Sequence, residues 1–353
     1  FQFILSPEHI DFNRIDLSTS KQESISTFID YFENASVINN NISQFTHNAF
    51  RLYELLKLNA ISDYQNLIIV ADGILNFIPF ESLLTQETTT SNYSEMPFLV
   101  KQHRIAYHTS TAFYLETKPY QFSNSSLGVF PVFDNSPLKL TYSLNEAEQI
   151  DNEINTAFLM YNDATKKDVL AQINEYSILH LSTHAHSGNF TTPANIDFID
   201  SKLQVQELYT LDLTNDLVVL SGCETGVGML QKGEGSMNLA RGFKYAGVSN
   251  LMVSLWKIND LSTSQLMSSF YSDLKKTESA FAANQDSKLT YLNNPDISNI
   301  KKSPYYWSAF VYFGDLTKPK ASNSDYLILY IILGLIIAFL SWLLIFKRKT
   351  WKR

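Results

Sequence analysis

The sequence is poor in cysteine and in charged residues, and each shortage excludes a class of protein. Its 353 residues include a single Cys, so no intramolecular disulfide can form. No CxxC pair or Cys/His finger spacing is present, which excludes disulfide-stapled scaffolds and structural zinc modules. Charged residues make up 18% of the chain and hydrophobic residues 45%, which excludes a disordered chain and leaves ample material for a core.

The chain also lacks an excess of positive charge. It has 27 Lys and Arg against 35 Asp and Glu, a net charge of -8. The last seven residues, KRKTWKR, hold five of the positive charges, which leaves 22 basic against 35 acidic residues in the rest. Because an acidic body does not attract a polyanion, we expect no direct nucleic-acid binding by this chain.

A long uncharged stretch near the C-terminus predicts a transmembrane helix at residues 326–346. These 21 residues contain no charged side chain. A helix of that length spans roughly 30 Å of hydrocarbon. Tyr326, Tyr330 and Trp342 lie near its two ends, where aromatic side chains favour the membrane interface. The lipid bilayer is therefore an expected partner, with a linker at 318–325 and a basic tail at 347–353.

The charges around this stretch predict its orientation. Five basic residues follow it, and two basic residues, Lys318 and Lys320, lie in the 15 positions before it. Because positive residues resist translocation, we expect the tail in the cytoplasm and the body outside a bacterial inner membrane. A tail-anchored protein with a cytoplasmic body is the alternative. The chain opens at Phe1 without a signal-peptide pattern, which we interpret as a processed product or the C-terminal piece of a longer protein.

Between these ends, apolar runs alternate with amphipathic stretches. The runs resemble buried parallel strands and lie at 67–71, 128–133, 177–181, 217–220 and 250–255. The amphipathic stretches lie at 42–58, 145–154, 166–174, 234–245 and 261–274. This alternation predicts an α/β fold with a mostly parallel sheet covered by helices on both faces.

Two predicted strand ends carry reactive residues. His184 follows the strand in SILHLSTHAHSG, and Cys223 follows the strand in DLVVLSGCETGVG. A thiol at the carboxyl edge of a parallel sheet, with an imidazole from a neighbouring strand, is the arrangement that a cysteine hydrolase needs. The alternative for Cys223 is a small buried hydrophobe. His180 is interpreted as an interior imidazole.

Two rival sites are weaker. His184 and His186 read H-x-H, as in metal-dependent hydrolases, but Gly188 and Asn189 stand where further ligands are required. His103, His108 or acidic residues would have to complete such a site without any supporting spacing, so we predict no metal. The glycine-rich stretch 226–235 fits neither phosphate-binding pattern, and we interpret it as a mobile loop before a helix that starts near Glu234.

Several segments together resemble the CHAT domain, a caspase-like family related to separase. The segments are LIIVADGILNFIPFESLL (67–84), FLVKQHRIAYHTSTAFYL (98–115), LNEAEQI (144–150), ILHLSTHAHSG (178–188), VVLSGCETGVG (218–228), GEGSMNLARGFKYAGVSNLMVSLWKIND (233–260) and YYWSAFVYFGD (305–315). The resemblance implies a caspase-like three-layer α/β sandwich over residues 1–317. Its first half would be non-catalytic and its second half peptidase-like.

The resemblance also implies the residues of a catalytic site. His184 and Cys223 match the family's catalytic pair, and the backbone N–H groups of Ala185 and Cys223 would hold the oxyanion. The family usually has Gly where this chain has Ala185, and a methyl group still leaves the backbone N–H available. No cofactor is implied. CHAT domains commonly follow tetratricopeptide-type repeats, so we expect such repeats upstream as a regulatory partner.

The segment SLWKIND adds a prediction about specificity. Caspase-like enzymes line the substrate cleft with this region, so Trp256 and Asp260 are candidate substrate-binding residues. An exposed Asp260 would favour cleavage after Arg or Lys, as in separase-like relatives. The alternative is that Asp260 caps a helix beginning at Leu261.

Two functions remain open from the sequence. The first is a membrane-anchored cysteine endopeptidase, which acts on a protein substrate that the sequence does not identify. The second is a catalytically silent CHAT-type module that binds other proteins beside a membrane. Retention of both His184 and Cys223 favours the peptidase, since a scaffold has no chemical need for a thiol at that strand end.

Overall fold

The computed structural model describes residues 1–134, 136–137, 139–186, 188, 192–221, 229–231, 235–237, 239–256 and 259–318. The strands are β1 (Gln2–Leu5), β2 (Ile10–Asn13), β3 (Asn66–Val70), β4 (Arg104–His108), β5 (Ser126–Phe130), β6 (Thr156–Met160), β7 (Ile178–Leu181), β8 (Ala185–His186), β9 (Asn195–Asp197), β10 (Lys202–Gln204), β11 (Leu217–Leu220), β12 (Met229–Gln231), β13 (Gly235–Met237), β14 (Leu251–Ser254) and β15 (Phe310–Phe313).

The α-helices are α1 (Thr19–Asp30), α2 (Ala35–Asn40), α3 (Ile42–Leu55), α4 (Thr111–Leu115), α5 (Ser143–Glu153), α6 (Lys166–Gln172), α7 (Val205–Leu208), α8 (Leu239–Tyr245), α9 (Asp260–Thr277), α10 (Ala280–Asn293) and α11 (Pro304–Trp307). Short 3-10 turns lie at Leu58–Ile61, Gly73–Phe77, Phe80–Ser82, Leu99–Lys101, Tyr161–Asp163, Ile173–Glu175 and Asn299–Lys302.

Eight of the described strands form one sheet in the order β3-β4-β15-β14-β11-β7-β5-β6. Within it the β14–β15 pair is antiparallel and the other pairs are parallel. The sheet is therefore mostly parallel, and the predicted α/β class is confirmed. The antiparallel pair divides the sheet, so that β14, β11, β7, β5 and β6 run one way and β3, β4 and β15 run the other.

The central strands are buried on both faces of the sheet. Every residue of β5, β7, β11, β14 and β15 is buried. Since successive side chains of a strand point to opposite faces, both faces must be covered. Helix α9 packs against α5 and α10, while α7 packs against α8. This burial explains why the strands are read in the sequence as continuous apolar runs rather than alternating ones.

Two sequence-based boundaries need correction. The run 128–133 ends as a strand at Phe130, because Pro131 has no N–H for the ladder and the next two residues take left-handed conformations. The helix expected from Glu234 begins instead at Leu239. Gly235–Met237 is extended and pairs antiparallel with Met229–Gln231, so part of the expected loop is a two-stranded ladder. Glycine costs about 1 kcal/mol relative to alanine inside a helix, so Gly235 disfavours a helix that runs on from Glu234.

A buried ion pair ties the first half of the chain to α10. The Lys288 ammonium lies 2.9 Å from Oε1 of Glu81, and both side chains are almost fully buried. The Tyr107 hydroxyl donates to the same carboxylate. Burial, together with the negative charge of Glu81, raises the pKa of Tyr107 well above its ordinary value, so the phenol stays protonated and remains a donor. The carboxylate is thereby satisfied from two sides.

We expect the Glu81→Gln substitution to lower the free energy of unfolding by about 3–5 kcal/mol, because it leaves the Lys288 ammonium buried without a counter-charge. The double variant with Lys288→Met removes the unpaired charge and should recover most of that loss. Urea denaturation measures both. Glu54→Gln is the matched control, because its pair with Arg51 is exposed on both sides and is worth less than about 1 kcal/mol. A loss no larger than the control's contradicts the prediction.

Candidate active site

The candidate site lies at the carboxyl edge of the central strands. Strands β7 and β11 are adjacent and parallel, and their register places Leu181 opposite Leu220. His184 follows Leu181 by three positions, and Cys223 follows Leu220 by three positions. Strands β5 and β14 run in the same direction on either side, so the segments that follow them reach the same edge.

His184 is almost buried at this edge. Its relative exposure is 9%, and its ring packs against Phe133 with the ring centres 5.1 Å apart. Its carbonyl accepts a hydrogen bond of 2.8 Å from the amide of Asp197, and the preceding Thr183 hydroxyl donates to the Asp197 carbonyl. These bonds fix the backbone of His184 between β7 and β8.

Cys223 lies outside the described residues, as does the oxyanion role predicted for its amide. The described chain continues along β11 to Ser221, two positions before the cysteine. The pairing of Cys223 with His184 therefore stays a prediction.

Ala185 opens β8, which pairs antiparallel with β9. Residues facing each other across an antiparallel pair alternate between bonded and non-bonded positions. Since the amide of Asp197 bonds the carbonyl of His184, the next pair, Ala185 with Ile196, is a non-bonded one. The N–H of Ala185 therefore points away from β9. Its role in holding an oxyanion stays a prediction.

Trp256 follows β14 and is partly buried at the same edge. Its indole N–H donates to the carbonyl of Tyr305 at 3.0 Å, and its ring lies 4.6 Å from that of Phe32. The indole is thus held between the segments that follow α1 and that begin α11. Its role in lining a substrate cleft stays a prediction.

Asp260 is the first residue of α9 and is partly exposed. The alternative that it caps a helix from Leu261 is wrong. The cap is Asn259, whose side chain accepts from the amides of Leu261 at 3.0 Å and Ser262 at 3.3 Å. Asn is as good a capping residue as Asp, so the sequence pattern alone did not separate the two positions.

His180 lies in the middle of a buried polar cluster, which confirms its interpretation as an interior imidazole. Its Nδ1 is 2.9 Å from the hydroxyl of Tyr271, and its Nε2 is 3.1 Å from Oε1 of Glu146. Ser221 approaches the same Nε2 at 3.3 Å, and Ser182 donates to Oε2 of Glu146 at 2.8 Å. The cluster lies directly behind the two strand ends.

The histidines of the rival metal site are separated and hold other partners. His103 bonds the carbonyl of Tyr64 at 2.6 Å, and His108 bonds the carbonyl of Gly314 at 3.0 Å. His186 lies 3.5 Å from Asp197. Among the residues that the structure describes, no group of three or more His, Cys, Asp or Glu side chains could hold a metal ion.

Sequence reasoning missed the turn that carries Phe133 to His184. The amide of Phe133 bonds the carbonyl of Pro131 at 2.6 Å across Val132. Val132 and Phe133 have φ values of 61° and 55°, a left-handed conformation that a β-branched side chain rarely adopts. Such strain persists where surrounding structure enforces it, and it is common beside functional sites. Pro131, directly after β5, was the signal in the sequence that the strand ends there and a turn follows.

Among the described ranges, which end at residue 318, no helix is long and apolar enough to cross a membrane. The predicted span at 326–346 and the basic tail at 347–353 lie outside these ranges.

The fold and the site edge together define an α/β protein with a histidine placed at the carboxyl end of a central parallel strand. The chain belongs to the CHAT family, whose domain model matches residues 48–315. None of the curated proteins matches the sequence.

The chain is similar to several solved structures. One is the separase–securin complex of Saccharomyces cerevisiae, at 13% identity and a TM-score of 0.46, with 75% of this chain and 17% of that chain covered. Another is the Arg-specific cysteine proteinase gingipain R, at 12% identity and a TM-score of 0.47, with coverage of 88% and 81%. The complex of Porphyromonas gingivalis RgpB pro- and mature domains is similar at 14% identity and a TM-score of 0.41, with coverage of 84% and 76%. The chain spans about a sixth of the length of the separase chain.

Proposed function

We propose that the chain is a membrane-anchored, caspase-like cysteine endopeptidase with a Cys223–His184 dyad. The observation that carries the proposal is the register of β7 and β11. The two residues lie at equal offsets, three positions beyond the facing pair Leu181 and Leu220. Neighbouring strands of a sheet are about 4.8 Å apart, so equal offsets at one edge favour contact between the two side chains. Membership in the CHAT family supports the same pairing.

The proposed mechanism needs no cofactor. His184 takes the proton of the Cys223 thiol, and the thiolate attacks the carbonyl carbon of the scissile peptide bond. The amides of Ala185 and Cys223 hold the oxygen that becomes negative, and His184 then donates its proton to the amine as the C–N bond breaks, which leaves a thioester on Cys223. A water molecule that gives its proton to His184 attacks the thioester, the C–S bond breaks, and the acid product and the thiol are released. The N–H of Ala185 points away from β9 and is not used in that pairing, which supports its proposed role as an oxyanion donor. Burial of both sheet faces supports the caspase-like three-layer arrangement.

The proposed pairing with His184 changes the pKa of the Cys223 thiol. An imidazolium beside a thiolate favours the charged pair and lowers the thiol pKa below its usual value of about 8.5.

We further propose that helical repeats upstream regulate access to this site, as the family implies.

We expect the rate of alkylation by iodoacetamide to rise with a pH midpoint below about 7.5, against about 8.5 for free cysteine. The chain has one cysteine, so alkylation reports Cys223 alone. His184→Ala should return the midpoint towards 8.5, while His186→Ala, the exposed histidine two positions on, should leave it unchanged. A native midpoint near 8.5 that neither variant moves would instead support a silent interaction module.

Comparing new protein N-termini in cells that carry the native chain and Cys223→Ala then identifies the substrate.

The Asp260 carboxylate at the start of α9 is proposed to attract a basic side chain of the substrate. We expect Asp260→Ala to reduce the preference for Arg or Lys before the cleaved bond by about tenfold, the effect of roughly 1.4 kcal/mol. Peptide libraries measure the preference. Asp296→Ala is the control, because it removes the same charge from an exposed position after α10. An unchanged preference for basic residues in Asp260→Ala removes the specificity role.

The charge asymmetry around residues 326–346 is proposed to place the body outside the inner membrane. In osmotically opened cells with an intact inner membrane, added protease should then degrade the body. A cytoplasmic protein in the same cells serves as the control for membrane integrity. A body that resists protease until the inner membrane is dissolved contradicts this orientation and favours the tail-anchored alternative.

A further inference from the structure

The buried cluster behind the two strand ends connects four elements of the fold. Glu146 comes from α5, His180 from β7 and Tyr271 from α9, while Ser182 and Ser221 follow β7 and β11. Glu146 is 2% exposed, and His180 and Tyr271 are fully buried. A carboxylate removed from water is costly unless its oxygens are bonded, so its presence in this interior needs an explanation.

The cluster is arranged around the two ring nitrogens of His180. Burial, and then the charge of Glu146, raises the pKa of Tyr271 well above its ordinary value, so its hydroxyl stays protonated. The Nδ1 of His180 lies 2.9 Å from that hydroxyl. The Nε2 of His180 lies 3.1 Å from Oε1 of Glu146 and 3.3 Å from the hydroxyl of Ser221. Among the described residues no donor is aligned on that Oε1 as a hydrogen bond, so the imidazole holds the carboxylate by close approach. The ring of His180 is held flat against Phe130, 5.4 Å away at 13°.

Both strand ends receive a contact from this cluster. Ser182 donates to Glu146 at 2.8 Å and lies two positions before His184. Ser221 lies 3.3 Å from Nε2 of His180 and two positions before Cys223. The amides of both serines also bond neighbouring strands, Ser182 to Val129 and Ser221 to Leu181, each at 3.0 Å.

We propose that Glu146 and His180 are positioning residues, which fix the ends of β7 and β11 through Ser182 and Ser221 and so set the geometry of His184 and Cys223. This proposal rests on the proposed function for its catalytic consequence. Neither residue touches the reacting atoms. A displacement of about 1 Å in such a pair is enough to cost roughly a hundredfold in rate.

The decisive variant is Glu146→Gln, which keeps the shape but replaces one carboxylate oxygen by an NH₂ group, so that it cannot present an oxygen to both Ser182 and His180. The test measures the pH midpoint of Cys223 alkylation in the full chain. Loss of positioning separates the imidazolium from the thiolate and should raise the midpoint by at least half a pH unit, with alkylation at pH 7 slowed about tenfold. Removal of a negative charge acting only through space would instead lower the midpoint. A midpoint that falls or stays unchanged overturns the proposal.

Glu148→Gln is the matched control, because it removes the same charge from an exposed position on α5 and should leave the midpoint unchanged. Ser182→Ala removes the link between Glu146 and β7 with a small change in volume, and it should raise the midpoint as well. Ser182→Ala replaces Glu146→Gln in the test if thermal unfolding shows that Glu146→Gln does not fold. Glu146→Asp should restore only part of the native midpoint, since its carboxylate is one methylene shorter.

Residue-resolved hydrogen exchange separates this proposal from the proposed function. In Glu146→Gln the amides of Ser182 and Ser221 should exchange at least tenfold faster, while that of Val218, bonded to Asn250 at 3.0 Å, should not change. Faster exchange at both serines in a chain whose native Cys223 is unreactive would uphold the positioning role and overturn the peptidase. Unchanged exchange at both serines overturns the positioning role, whatever the reactivity of Cys223.

Discussion

The parallel pairing of β7 with β11 is the constraint on which the candidate site depends. Because Leu181 faces Leu220, the segments after these strands leave the sheet side by side. The neighbouring strands β5 and β14 run the same way and bring Phe133 and Trp256 to that edge. One register therefore determines which distant parts of the chain can lie together at the candidate site.

Two buried carboxylates show how differently an interior can hold charge. Glu81 is neutralised by the ammonium of Lys288, so that pair joins two regions without a net charge. Glu146 has no buried cation among its described contacts: its Oε2 accepts from the hydroxyl of Ser182, and its Oε1 lies 3.1 Å from the imidazole of His180. Fewer partners hold this carboxylate, which makes the second arrangement the more demanding one and the more sensitive to small displacements.

Local patterns in the sequence predicted much of the sheet and little of the polar cluster. The apolar run at 217–220 coincides with β11, since a fully buried strand has no polar face to interrupt it. Strands β4, β6 and β15 were not among the predicted runs, and length is not the reason, since they are as long as β3 or β11. The link between His180 and Tyr271 spans 91 positions, and no spacing rule encodes such a contact. The helix cap was expected at Asp260 and lies one position earlier, at Asn259. Asn and Asp cap helices equally well, so the local sequence did not distinguish the two positions.

The place of β15 in the sheet has a consequence for the order of folding during synthesis. This strand, close to the end of the described chain, lies between β4 and β14, and His108 is bonded to Gly314 across 206 positions. Until β15 leaves the ribosome, the sheet exists as two parts, and the edges of β4 and β14 have no partner. Unpaired edges of apolar strands attract other chains, so nascent protein is exposed to aggregation until β15 is made. Truncation before Phe310 makes that exposure permanent.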